Sequence, residues 1–281
     1  MAPWRAMTVQ EARYDRIAEG YATWWSPVHR AATLRLLDEI DAGVAGRARR
    51  IIDVGCGTGA LAVAAAGRWP GITVDGVDAS AGMLRIAERE RGRLAPSAAR
   101  RVRLAQGYAD RLPFRDATFD AAVSAFVLQL VPSRFRALRE ARRVLRPGGT
   151  LAFVTWLAGG SPFAADTAFD DALEAAGLEP RDHGGGGNDL ASPAAAVAQL
   201  RRAGFAQARA RADVLVHEFS PEGYLGFLTR FDEEDLFATL DPGVRARLEA
   251  DLLRRLRALP REGLRLQLPI VYAAGRRTRD G

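Results

Sequence analysis

The stretch RRIIDVGCGTGALAVAAA, from Arg49 to Ala66, constrains the fold more than any other. Its apolar run closes on Asp53, is too short for a helix, and reads as a buried strand. Gly55, Gly57 and Gly59 then permit a tight turn and a close approach of backbone to a ligand. The alanine-rich segment behind them reads as a helix whose free N–H groups point at that turn.

The alternation repeats along the chain. ITVDGVDAS, RVRLAQGYAD and FDAAVSAFVLQLV predict a second, third and fourth strand, with Asp78 ending the second and Asp110 the third. AGMLRIAERERGR predicts the intervening helix. SRFRALREARRVLRPGG predicts a helix closed by Pro147, Gly148 and Gly149, and TLAFVTWL a fifth strand. Such alternation predicts an α/β fold, with a parallel sheet covered on both faces.

The flanks differ. Residues 1–50 read as helical, with Tyr14, Ala18 and Tyr21 on one face, Trp24 and Trp25 beside them, and Pro27 interrupting before a second helix that Gly43 stops. After the fifth strand, FAADTAFDDALEAAG, SPAAAVAQLRRAGF, SPEGYLGFLTRF and DPGVRARLEADLLRRLRAL predict helices. QARARADVLVHEF and LRLQLPIVYAAGRR predict strands, and Pro269 points to an edge or bulge in the last one. DHGGGGNDL reads as a loop.

Composition narrows the partners. Cys56 is the only cysteine, so no intrachain disulfide exists and a reducing compartment is expected. No run approaches about 18 apolar residues, and no early segment has a signal-peptide pattern. The expectation is a cytoplasmic protein without integral membrane association. The formal charge of +6 comes entirely from arginine spread along the chain. The clusters GRARR and GRRTRD read as solvated ends of elements, not as a nucleic-acid surface. No cysteine cluster suits a metal.

The acids at the strand ends give the chemistry. A carboxylate at Asp78 can accept both ribose hydroxyls of an adenosine, and Asp110 can receive the adenine amine or hold the loop that does. Asp53 precedes the glycine turn, where a doubly anionic pyrophosphate would be repelled. An ammonium or a sulfonium would be tolerated there. GCGTGA nevertheless also satisfies the dinucleotide pattern G-x-G-x-x-A. An NAD(P)-dependent oxidoreductase and a noncatalytic cofactor-binding protein therefore stand as alternative readings.

DVGCGTG, VDGVDASAGML, GYADRLPFRDATFDAAVSAFVLQLV and LRPGG resemble successive motifs of class I S-adenosylmethionine-dependent methyltransferases. The nearest branch resembles the small-molecule enzymes related to ubiquinone/menaquinone C-methyltransferases. RYDRIAEGYATWW resembles their N-terminal lid. The resemblance implies a Rossmann-like sheet of seven strands in the order 3-2-1-4-5-7-6, the last antiparallel. It implies a lid over residues 1–45 and a methyltransferase domain over 46–281, with helical insertions around 160–205 and 220–260. S-adenosylmethionine would be the cofactor and S-adenosylhomocysteine the product.

By the same resemblance, Asp53, Gly55 and Gly57 would hold the methionine part, with Gly59 closing the turn. Asp78 would bind ribose, Ala79 and Met83 would pack on adenine, and Ala109 and Asp110 would lie at its edge. Ala125 would offer its carbonyl to the ammonium with Phe126 beside it, and Tyr14 and Tyr21 would close the lid. Arg146 to Gly149 would shape the turn before the fifth strand.

The acceptor is expected to be a small, hydrophobic or planar molecule, with oxygen, nitrogen or carbon as the methylated atom. Trp24, Trp25, Phe126, Trp156, Phe163, Phe219, Tyr224 and Phe227 are pocket candidates, with His29 and Gln129 beside them. His29 and His217 are the candidate bases, and His183 a lesser one. Gln129 cannot serve as a base. The segment SAFV after the fourth strand lacks the N-P-P-Y type of motif that holds a planar nucleobase amine.

Overall fold

The computed structural model describes residues 9–44, 49–180 and 189–278. His183 and the four glycines beside it lie outside the described residues, as do parts of both arginine clusters. The first half runs α1 (Val9–Gly20), a π-helical turn (Tyr21–Trp25), α2 (Ser26–Val44), β1 (Arg50–Val54), α3 (Ala60–Arg68), β2 (Thr73–Asp78), α4 (Ala81–Gly92), α5 (Pro96–Ala99), β3 (Val102–Gln106) and β4 (Phe119–Ala125). The second half runs α6 (Arg134–Val144), β5 (Leu145–Trp156), α7 (Ala164–Ala175), α8 (Pro193–Arg202), β6 (Phe205–Glu218), α9 (Pro221–Phe227), a second π-helical turn (Leu228–Asp232), α10 (Glu234–Thr239), α11 (Pro242–Ala258), a 3-10 turn (Arg261–Leu264) and β7 (Arg265–Arg277).

The strands lie in the order β3-β2-β1-β4-β5-β7-β6, parallel except for β7, which is antiparallel to both neighbours. The order reverses between β1 and β4, and ligands bind such sheets outside the strand ends at that point. Both faces are buried, which explains the continuous apolar runs of the inner strands. Ile51, Val74 and Val123 face α2 and α3, whereas Ile52, Val77 and Phe153 face α6 and α8. A separate apolar cluster joins α7, α9, α10 and α11 into a cap.

Polar contacts fix the registers. Arg50 on β1 pairs with the buried Asp75 on β2 through two bonds of 2.7 and 2.8 Å. Asp120 accepts the backbone N–H groups of Arg49 and Arg50 and pairs with Arg146. Ser80, Ser133, Ser192 and Ser220 cap the helices that follow them, each cap contributing about 1 kcal/mol.

Four details depart from the sequence expectations. Pro27 does not interrupt the N-terminal helix. Its missing N–H would orphan the Thr23 carbonyl, and the widened turn just before it, closed by Ser26 N–H to the Tyr21 carbonyl, absorbs the misfit. Pro147, Gly148 and Gly149 do not close α6. They form an irregularity inside β5, where pairing shifts between Phe119 with Leu145 and Ala121 with Thr150. The third strand ends at Gln106, so Asp110 belongs to the following turn. β7 is an inner strand despite Pro269. Its carbonyl accepts from Leu157 beyond the last β5 pair, so the absent N–H faces the place where β5 has ended.

Candidate active site

The turn after β1 and the end of β2 form one unit. The Gly55 and Cys56 N–H groups both donate to the Val77 carbonyl, and the Gly57 N–H donates to Asp78 Oδ2 at 2.8 Å. Asp78 Oδ1 accepts the Ser80 N–H at 2.9 Å. The carboxylate keeps further lone pairs for a ligand. Burial raises the Asp78 pKa, and the backbone donors partly offset this.

The three glycines have different reasons. A Cβ on Gly55 would lie 2.2 Å from Val127 Cγ2, and one on Gly59 would lie 2.9 Å from the Ala87 Cβ. Gly57, with φ of +51°, faces open space. Two of the glycines therefore answer to packing, and the third leaves room beside the cleft.

That cleft encloses about 910 Å³, part of it open to solvent. Gly55, Gly57, Asp78, Ala79 and Met83 line it from β1, β2 and α4; Ala109 and Asp110 from beyond β3; Ala125 and Phe126 from β4; and Tyr14 and Tyr21 from the N-terminal helices. The structure thus brings together every residue expected at the cofactor except Asp53, which lies behind the turn and is 1% exposed. Asp53 Oδ2 has no hydrogen-bond partner among the described residues. Burial, and then the negative charge of Asp78, push the Asp53 carboxyl up to about 7.

The N-terminal segment is docked over the opening. Asp15 Oδ1 accepts from Ser80 Oγ at 2.5 Å and from the Gly82 N–H at 2.8 Å, placing a carboxylate at the start of α4. Gly82 is small because its Cβ would meet the Asp15 backbone at 2.8 Å. The Tyr108 hydroxyl donates to Glu11, and Arg89 grips Glu19 through two bonds. Glu11, Gln10, Ser80, Tyr108, Leu130, Val131 and Pro132 also border the cleft. Gln10, Glu11, Leu130, Val131 and Pro132 carry no local signal, since they reach the site through helix docking or the loop after β4; Ser80 and Tyr108 adjoin the expected Ala79 and Ala109.

Of the expected acceptor residues only Phe126 lines this cleft; the others lie behind it. The Phe126 ring centroid is 4.2 Å from that of Trp156 and 5.2 Å from that of His29. Trp25 continues the cluster to Trp156 and Phe227, and Phe219 joins Phe227 to Phe163, Tyr224 and His217. Trp24 packs under Gly226, and the Tyr224 hydroxyl donates to Asp166. Phe126 holds φ of +55°, an uncommon value for a side chain this large. Gln129 Nε2 donates to its carbonyl at 2.8 Å, while Gln129 Oε1 accepts from Thr155 at 2.7 Å.

His29 is buried and does not face the cleft directly. Its Nε2 is 2.8 Å from the Tyr21 hydroxyl, and its Nδ1 is 3.1 Å from Thr33 Oγ1. Burial lowers its pKa to about 4, so the ring is neutral at ordinary pH. His217, half-buried on β6, is also lowered by burial and reaches the cluster only through Phe219.

A cleft at the β1/β4 reversal of a 3-2-1-4-5-7-6 sheet, lined by the acid that ends β2, is the arrangement of the Rossmann-like methyltransferase fold. The chain belongs to the class I S-adenosylmethionine-dependent methyltransferases. The family described as "Methyltransferase domain" matches residues 52–153. The chain is 30% identical to a nocamycin O-methyltransferase of Saccharothrix syringae, over 94% of this chain and 96% of that one. It is 42% identical to a ubiquinone/menaquinone biosynthesis C-methyltransferase of Syntrophotalea carbinolica, over 37% of this chain and 42% of the relative. Matches of that second kind span only about two fifths of the relatives' length. Among solved structures, the [4+2]-cyclase SpnF shares the fold with a TM-score of 0.57 at 22% identity, covering 98% of each chain. Among the described residues no helix is long and apolar enough to cross a membrane.

The residues present fit S-adenosylmethionine. The partnerless oxygen of Asp53 and the open side of Gly57 suit a positively charged ligand with an adenosyl group. A pyrophosphate would face the Asp78 carboxylate in the cleft, with the Asp53 carboxyl close behind the turn.

Proposed function

We propose that this chain transfers a methyl group from S-adenosylmethionine to a hydroxyl of a small, planar, hydrophobic acceptor. The orphaned oxygen of the buried Asp53 behind the Gly55–Gly57 turn carries the cofactor half of this reading. Asp78 would take the ribose hydroxyls, with Ala79, Met83, Ala109 and Asp110 around the adenine. Asp53 and the Ala125 carbonyl would hold the ammonium, and Gly55 and Gly57 would follow the methionine part. When bound, S-adenosylmethionine supplies an electrophilic methyl group on a sulfonium.

The remaining work is alignment and exclusion of water. Residues 1–45 would act as a lid, with Tyr14 and Tyr21 closing over the sulfonium end. The domain over 46–281 would supply the sheet and, around 160–205 and 220–260, the cap. Orientation of the acceptor lowers the barrier, and drying the site favours a step in which the cation's charge disappears. Phe126, which lines the cleft, would stack on an aromatic acceptor, backed by the half-buried Trp25, Trp156, Phe163 and Phe219 of the cluster behind it. Trp24, Tyr224 and Phe227 would support them.

Oxygen is favoured because the relative matched along its whole length is named as an O-methyltransferase. Gln129 accepts no proton, and His29 is screened by Tyr21 and Phe126. An acceptor with an acidic O–H, such as a phenol or enol, needs little from a base, and His217 would be the nearest titratable group to the Phe219 end. A cytoplasmic location and the absence of a nucleic-acid partner fit the lone cysteine and the dispersed arginines.

Calorimetry with S-adenosylhomocysteine and, separately, NADH tests the cofactor. Binding of the first alone is expected, and binding of NADH alone would refute the reading. Transfer of radiolabelled methyl to a panel of phenols and enols, against matched amines, tests the acceptor.

A further inference from the structure

The bonds that join His29 to Tyr21 and Thr33 have no role in the account above, yet all three groups meet within one continuous helical segment. Tyr21 lines the cleft, and His29 sits behind it with both ring nitrogens engaged. The ring is walled by Trp25 and Phe126, at centroid distances of 6.2 and 5.2 Å, and no charged side chain is among these contacts. The π-helical turn at Tyr21–Trp25 produces this juxtaposition by rotating Tyr21 relative to a regular helix.

Two arrangements of hydrogen are available to the pair. In one, the phenol donates to Nε2 and the Nδ1–H donates to Thr33 Oγ1. In the other, Nε2–H donates to the phenol oxygen, leaving the phenolic hydrogen free to point into the cleft. The first uses the stronger donor of the two, a phenol O–H over an imidazole N–H, and the stronger acceptor, a neutral imidazole nitrogen over a phenol oxygen. It also gives Thr33 a donor to accept from, and the bond at one ring nitrogen sets the role of the other.

Resting on the cofactor assignment above, we propose that His29 is a positioning residue. It draws the Tyr21 hydrogen away from the cleft, so that the phenol turns its oxygen lone pairs toward the sulfonium. The pair thereby discriminates the cationic cofactor from its neutral product. Tyr21 packs in the cluster of Met83 and Ile86 and reaches Phe126 through His29; Phe126 follows β4, across the β3-β2-β1-β4 order from Ala109 and Asp110, on the sulfonium side when Asp78 holds the ribose. The Tyr14 ring, 5.9 Å away, and the Phe231 ring, 6.2 Å away, pack edge-on against Tyr21 and limit its movement.

The test measures affinity for S-adenosylmethionine and for S-adenosylhomocysteine by calorimetry and takes their ratio, whichever of the two the wild type favours. Tyr21→Phe is expected to lower that ratio about tenfold, because a hydrogen-bond-strength contact to a charged group is lost while the neutral product is held as before. His29→Leu is expected to lower it at least as far, since the freed hydroxyl can turn its hydrogen toward the cation. His29→Gln keeps an acceptor oxygen and is expected to stay within about threefold of the wild-type ratio. A merely structural role would weaken both ligands together. A ratio unchanged within about twofold in Tyr21→Phe, or in a folded His29→Leu, overturns the proposal; should His29→Leu fail to fold, His29→Phe, which also offers Tyr21 no acceptor, takes its place. Wild-type protein that takes up neither compound overturns the cofactor assignment instead, and that result is seen before any variant is made.

Discussion

Asp78 Oδ2 accepts the Gly57 amide hydrogen at 2.8 Å, so the acid that ends β2 holds the glycine turn that ends β1. One carboxylate therefore shapes the cleft and faces into it. Asp78→Ala is expected to weaken S-adenosylhomocysteine binding at least about tenfold, because charge-assisted bonds to two hydroxyls and the turn's anchor go together. Calorimetry on a folded variant with unchanged affinity would reject the placement of ribose at this residue.

Binding of S-adenosylmethionine is expected to release protons. Asp53 titrates near 7 because burial and the Asp78 charge disfavour its ionised form. A cation arriving beside it reverses that balance and drives the proton off. Calorimetry near pH 7 in buffers of different ionisation enthalpy reads the release directly. Asp53→Asn is expected to abolish the buffer dependence; a dependence that persists in the variant assigns the proton to another group.

The glycine turn predicts a division between stability and binding. Gly55→Ala forces a methyl into Val127 at a left-handed position, and a loss of about 2–5 kcal/mol is expected in denaturant unfolding. Gly57→Ala meets no atom, so only the left-handed backbone is taxed, at about 1–2 kcal/mol. Its methyl projects into the cleft, and S-adenosylhomocysteine affinity should fall instead. Equal stability losses in the two variants would contradict the contact geometry.

Two buried groups set opposing pH slopes. His29 falls from 6.5 unfolded to about 4 folded, so between those values the unfolded chain holds the extra proton and stability rises with pH. Asp53 rises from 3.8 to about 7, so between those values the folded chain holds the extra proton and stability falls with pH. The slopes oppose each other from about pH 4 to 6.5 in the wild type. Relative to it, Asp53→Asn should gain stability as pH rises through this window, and His29→Gln should lose it. Unfolding midpoints at a series of pH values decide the matter, and parallel curves for all three proteins would dismiss both shifts.

The central sheet was legible because its signals are local. Gly55, Gly57 and Asp78 sit at strand ends that periodicity marks, and the cleft gathers around them, with Asp53 just behind. The acceptor side was legible only in composition. Nothing in Trp25 or Trp156 says that Phe126 stands between them and the cleft, since that depends on a backbone angle. His29 read as a candidate base because the sequence does not show that Tyr21 intervenes. Pro27 misled for a similar reason: a helix can widen by one residue and continue, and that choice depends on what the next turn packs against.

The left-handed backbone at Phe126 has an evolutionary consequence. Glycine would occupy that angle at less cost, yet it would remove the ring that stands between the cleft and the packed aromatic cluster. Variation at this one codon would therefore deepen the cleft toward Trp156 and His29. Descendants that accept bulkier partners would be found first among chains that had traded the ring for a small side chain here.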